Sequence, residues 1–86
     1  MEYSAEYRKP AEKYLDKQTQ AVQARLMDAV DALPKGDVTK LAGREGYRLT
    51  VGGFRVLFDY TNQLTKDGET IIDIIAIGPR GDIYKK

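Results

Sequence analysis

With 86 residues and a formal net charge of +1, the chain has room for one domain with a single core, residues 1–86, and no overall charge to draw a polyanion from a distance. It contains no cysteine and no histidine, which excludes disulfides, thiolate zinc sites, cysteine nucleophiles, imidazole metal ligands and histidine acid/base catalysis. Hydrophobic residues make up 42 %, enough for a folded globule, and the longest apolar run, Ile71 to Ile77, is broken by Asp73 and far too short to cross a bilayer.

No low-complexity or like-charge block suggests disorder, and the charged start MEYSAEYRKP does not resemble a secretory signal. The expectation is a cytoplasmic protein with no membrane partner. From Glu2 to Tyr7 a weak alternation places Tyr3, Ala5 and Tyr7 on one side and predicts a short strand. Pro10 then stands where a helix starts, since its fixed φ suits the first turn and its missing N–H is not needed there. With Ala11, Tyr14 and Leu15 at helical spacing behind it, a helix over Lys9 to Lys17 follows. Thr19 is the candidate N-cap of a second helix. Its stripe is Val22, Leu26, Ala29, Val30 and Leu33, while Gln23, Arg25, Asp28 and Asp31 point elsewhere, and Pro34-Lys35-Gly36 stops it.

Asp37 to Gly46, with two glycines and little periodicity, reads as a connection in which Val38 and Leu41 tuck inward. It leads to YRLTVGGFRVLFDY, Tyr47 to Tyr60, which reads as two strands joined at Gly52-Gly53 in a type I′ turn, a geometry that needs positive φ at both central residues. A two-residue loop fixes the register: Val51 opposite Phe54, Thr50 opposite Arg55, Leu49 opposite Val56 and Arg48 opposite Leu57. Tyr47, Leu49, Val51, Phe54, Val56, Phe58 and Tyr60 then share a face that must be buried. Arg48, Thr50, Arg55, Leu57 and Asp59 share the other, so two guanidinium groups lie on one open surface. Thr61 to Glu69 has the polar residues of a loop, Thr70 to Ile77 reads as a strand for the middle of the sheet, Gly78-Pro79 ends it, and Arg80 to Tyr84 forms a short tail. Strand, two helices, then a meander of three strands make a two-layer α+β fold: a helical hairpin packed on a small, mainly antiparallel sheet.

The run KLAGREGYRLTVGGFRVLFDY together with DIIAIGPRGDIY resembles the RelE/ParE superfamily of toxins from toxin–antitoxin pairs, over nearly the whole chain. The resemblance implies a toxin held inactive by a cognate antitoxin that wraps around it. It points first to the RelE branch, whose members enter the ribosomal A site and cut messenger RNA without a metal or other cofactor. The alternatives are the ParE branch, which acts on DNA gyrase, and a weak relative that mainly binds its antitoxin. By the same resemblance Arg48, Arg55, Arg80 and Tyr84 are the expected catalytic or phosphate-binding residues, with Arg44 and Thr50 as substrate contacts. Thr50 departs from the pattern, because a lysine or arginine is common there in active ribonucleases, and the departure bears on rate.

The chemistry sets the roles. Metal-free RNA cleavage needs the 2′-hydroxyl deprotonated, the phosphorane charge neutralised and the leaving 5′-oxygen protonated. Arginine suits the second task, since its donor fork matches phosphate oxygens and stays charged, so Arg55 and Arg80 are assigned to the scissile phosphate. Tyr84 would donate the proton or stack on a base. No general base is evident: arginine, with a pKa above about 12, serves poorly, and Arg48 would assist electrostatically. The plainer reading of Arg48 and Arg55 is a pair of solvated charges matched by Glu45 or Asp59.

Overall fold

The computed structural model describes residues 2–80, and two local signals in it set the helix layer. Helix α1 (Lys9–Asp16) carries Pro10 in its first turn; α2 (Gln20–Asp31) starts at Thr19, whose Oγ1 accepts a hydrogen bond from the Val22 N–H at 3.2 Å. Such a cap satisfies one of the unpaired donors of the first turn and is worth about 1 kcal/mol. Each helix buries a pair four residues apart, Ala11 with Leu15 and Leu26 with Val30, which is the spacing that keeps two side chains on one stripe.

Those stripes close over one face of a five-stranded sheet. Its strands are β1 (Tyr3–Tyr7), β2 (Asp37–Lys40), β3 (Tyr47–Val51), β4 (Phe54–Leu64) and β5 (Thr70–Pro79). They lie in the order β1-β5-β4-β3-β2, with β1 parallel to β5 and every other pair antiparallel. The fold is thus the expected two-layer α+β arrangement, with α1 against β5 and α2 reaching β3 and β1. Phe58, Leu26, Leu49, Ile72, Ile74 and Val56 are the largest fully buried side chains. Burial of each contributes about 1.5–3 kcal/mol. Phe58 lies at the centre of an aromatic group, stacked on Tyr47 at 5.6 Å between ring centroids and edge-on to Tyr60 at 5.7 Å.

The hairpin register is as expected from the two-residue loop, Thr50 opposite Arg55 and Leu49 opposite Val56 included. Its turn differs: Gly52 has φ +58° but Gly53 is not in the left-handed region, so the turn needs glycine at the first central position, as type II′ does, and not at both. The stretch expected to be a plain connection contains β2, paired with β3 from Asp37 opposite Thr50 to Lys40 opposite Tyr47. Only Val38 of its four residues is partly covered, so an edge strand this short offers no alternation to read. The loop expected from Thr61 is shorter, because β4 runs on to Leu64, with the Thr61 hydroxyl donating to the Ile71 carbonyl at 2.8 Å. Pro79 remains in the ladder, opposite Phe54, at the final position of β5, where a missing N–H costs least.

Strand β5 also contains an irregularity that the apolar run requires. Ile72, Ile74 and Ile77 all join the core, yet the three-residue step from Ile74 to Ile77 breaks the two-residue alternation of a strand. The ladder shifts between Leu57 and Phe58: Leu57 faces Ala76 and Phe58 faces Ile74, so Ile75 is the extra residue of a bulge.

Candidate functional site

The sheet face turned away from the helices is built mainly by β3, β4 and β5. Alternation and register place Arg48 and Thr50 of β3 on it, beside Leu57 and Arg55 of β4, with Ala76 and Gly78 of β5 beyond. Arg55 lies directly opposite Thr50 and diagonal to Arg48, a separation of about 7–8 Å between backbones. On its other side Arg55 faces Gly78, which has no side chain. Arg80, two residues beyond Gly78, is tied to the hairpin tip through its N–H, which donates to the Gly53 carbonyl at 2.9 Å. Arg48, Thr50 and Arg55 therefore share one face, and the backbone of Arg80 is held beside them at the hairpin tip.

Arg55 Nη1 donates to the Gly52 carbonyl at 3.1 Å and to the Phe54 carbonyl at 2.9 Å. These bonds hold the guanidinium over the turn without neutralising it. The expected alternative, a pairing of Arg55 with Asp59, is not what the structure shows: Asp59 Oδ1 accepts from the N–H of Tyr60 at 2.9 Å. Arg48 is half-buried, with its Nε out of solvent, next to Leu57, which is 6 % exposed. Arg44 lies apart. It is exposed in the connection between β2 and β3, which the Leu41 N–H to Gly46 carbonyl bond closes at the end of β3 remote from the glycine turn. Tyr84 falls outside the described residues.

The far end of the same face is acidic. Glu6, Asp73 and Asp59 stand side by side across β1, β5 and β4. Like charges in adjacent strands repel, and Arg8 relieves them by a two-point bond to Asp73, its Nε donating to Oδ1 at 3.0 Å and its Nη2 to Oδ2. That hydrogen bond and the Asp73 charge hold the Arg8 proton more firmly than usual. The face is thus basic at the turn and acidic at its other end.

One contributor to the basic end was not legible in the sequence. Arg25 of α2, which flanks the core stripe, lays its guanidinium against Gly52, so that a Cβ built there stands 2.2 Å from Nη2. The positive φ of Gly52 was the only local sign of a crowded turn, and it names no partner. On the helix side, away from the arginine-bearing face, a pocket of about 200 Å³ is lined by Tyr7, Met27, Asp31 and Glu69 among others. The Tyr7 hydroxyl is buried without a hydrogen-bond partner among the described residues; burial, and then the charge of Asp31, push it up to about 12.

This arrangement of strands and helices has a solved counterpart. The chain matches a structure described as the archaeal RelE-RelB complex from Pyrococcus horikoshii OT3 with a TM-score of 0.69 and 27 % sequence identity, over 95 % of this chain and 99 % of that one. The chain is RelE-like. Coverage this complete on both sides means that the RelE-like unit accounts for the helix pair and the whole sheet, not for a shared hairpin alone. No protein-family model matches the sequence, and no curated protein does. Among the described residues, no helix of the RelE-like chain is long and apolar enough to cross a membrane.

Proposed function

We propose that this RelE-like chain is the toxin of a toxin–antitoxin pair and cuts messenger RNA on the ribosome without a metal, with an antitoxin as its partner. The observation that carries the reading is Arg48 and Arg55 side by side on the sheet face turned away from the helices, with the backbone of Arg80 held at the adjoining hairpin tip. The antitoxin partner is supported by the neighbour being a RelE-RelB complex.

In this reading Arg55 and Arg80 grip the scissile phosphate and take up the charge that develops on it, since planar donor forks fit phosphate oxygens two at a time. Arg48, one diagonal step away, adds positive charge, and Leu57 beside it limits water at that side of the site. Tyr84 protonates the leaving 5′-oxygen or stacks on a base, and Arg44 and Thr50 contact the substrate. Thr50 supplies a hydroxyl where a cation would bind more strongly, so this chain depends on the ribosome to orient the 2′-hydroxyl for attack. Orientation alone is able to lower a barrier by about 7–11 kcal/mol. Free RNA is then a poor substrate.

Induction of the chain in cells tests the proposal. Translation is expected to stop, with messages cut inside codons; DNA damage that depends on gyrase, with messages intact, points instead to ParE-like action, and harmless expression points to a chain that only binds its antitoxin. Arg55→Ala and Arg80→Ala are each expected to fold as the parent does and to reduce ribosomal cleavage by about 10²–10³-fold. Parental cleavage by either folded variant removes that arginine from the phosphate.

A further inference from the structure

Gly52 is approached from both layers of the molecule. From the helix layer, the Arg25 guanidinium lies along it, with Nη2, Cζ and Nη1 at 2.2, 3.0 and 3.4 Å from a Cβ built there, a placement that only a glycine permits. From the sheet face, Arg55 Nη1 reaches the Gly52 carbonyl at 3.1 Å. The backbone of Arg80 is bonded to Gly53, the next residue. Among the described residues neither Arg25 nor Arg55 makes an ion pair with a carboxylate: the pair formed there is Arg8 with Asp73, at the other end of the sheet. On the open face the acid closest in register is Asp37, opposite Thr50 and so one strand beyond Arg55's own neighbour. Two guanidinium groups brought to one turn, neither paired with a carboxylate among the described residues, call for an anion, and their donor forks call in particular for phosphate oxygens.

We propose that Arg25, Arg55 and Arg80 form one anion site wrapped around the β3–β4 turn, and that a single-stranded RNA backbone crossing the open face continues over this tip and places a phosphate on Arg25. The inference rests on the RNA-cleaving reading for the identity of its ligand, and it adds a contact from the helix layer that the sheet residues alone do not supply. Arg25 binds and does not take part in bond breaking, since it lies on the helix side of the turn while the assigned phosphate clamp lies on the other. The site reads backbone charge, so it is indifferent to base sequence.

The test uses the full chain and a fluorescent single-stranded RNA of about 12 nucleotides, long enough to span the face and the tip. Affinity is followed from about 50 mM to about 1 M salt for the parent, Arg25→Gln and Arg25→Lys. Losing one phosphate contact is expected to lower the slope of log affinity against log salt by about 0.7, which is about five-fold in affinity at 0.1 M and nothing near 1 M. Arg25→Lys keeps the charge and is expected to keep the slope. A parental slope in folded Arg25→Gln, or a lower melting temperature with an unchanged slope, overturns the site and leaves Arg25 as packing for the turn. In the parent itself the Arg25 Nε–H resonance is expected to shift on addition of the RNA, and no shift overturns the proposal whether or not the variants fold. Binding is read without cleavage, so a chain that spares messages in cells yet loses the Arg25 slope defeats the nuclease reading alone.

Discussion

At the scale of single residues, the two adjacent glycines of the hairpin are not equivalent. Gly52 holds φ +58° and would bring a Cβ to 2.2 Å from the Arg25 guanidinium, whereas a Cβ at Gly53 meets nothing within 4 Å. A left-handed non-glycine residue costs about 1–2 kcal/mol, and about 1 kcal/mol moves the midpoint of a domain this size by about 4–8 °C. Gly52→Ala is therefore expected to lower the melting temperature by several degrees and Gly53→Ala to leave it nearly unchanged; equal losses at both would mean that both glycines are held left-handed. Tyr7 gives a prediction of a different kind. Its folded pKa of about 12 lies above the ordinary 10.0, so below pH 10 both states carry the proton and the contribution to stability is full. Between about pH 10 and 12 the unfolded chain loses that proton first and stability falls as pH rises. Tyr7→Phe removes an unpaired buried hydroxyl, so it is expected to melt no lower than the parent at pH 7 and to lose less stability on going to about pH 11. An equal alkaline loss in parent and phenylalanine variant would mean that the hydroxyl titrates normally in the folded chain.

At the scale of elements, α2 is the piece that connects the core to the turn. It buries Leu26 and Val30 and carries Arg25 to Gly52, and it begins at a single threonine hydroxyl. Thr19→Ala is expected to cost about 1 kcal/mol in thermal or denaturant melts, while Thr19→Ser keeps the bond and the stability; no difference between the two would show that water caps the helix equally well. The helices and the hairpin were legible in the sequence because each is specified by neighbours: proline and threonine at helix starts, apolar steps of three and four, and glycines between alternating runs. The β2 strand was not, since its pairing with β3 is decided by an edge ladder and not by its own side chains. The same division holds for the site. Arg48, Thr50 and Arg55 share a face by strand alternation and could be placed from the hairpin register, but Arg25 arrives from a helix through tertiary packing, which no local spacing encodes.

At the scale of the whole molecule, a net charge of +1 conceals a sheet face with arginines at the turn end and Glu6, Asp73 and Asp59 at the other, an asymmetry that in the proposed function orients the RNA rather than attracting it from afar. The connection that holds this face together spans most of the chain: β1 pairs in parallel with β5, Tyr3 opposite Thr70 and Tyr7 opposite Ile74, and β5 lies between β1 and β4. Without β5, β1 has no ladder partner and Ile72, Ile74 and Ile77 are missing from the core. A chain ending at Glu69 is accordingly expected to show no cooperative thermal transition, and a sharp melt from it would mean that the helices and β2–β4 suffice as a folding unit. Pairings this distant in sequence form late, because a long stretch of chain must be ordered before they return any stability. The consequence concerns birth order: β5 is the last of the described strands to leave the ribosome, so a nascent chain holds Arg48 and Arg55 before it holds Arg80, and the proposed phosphate clamp stays incomplete until β5 is made.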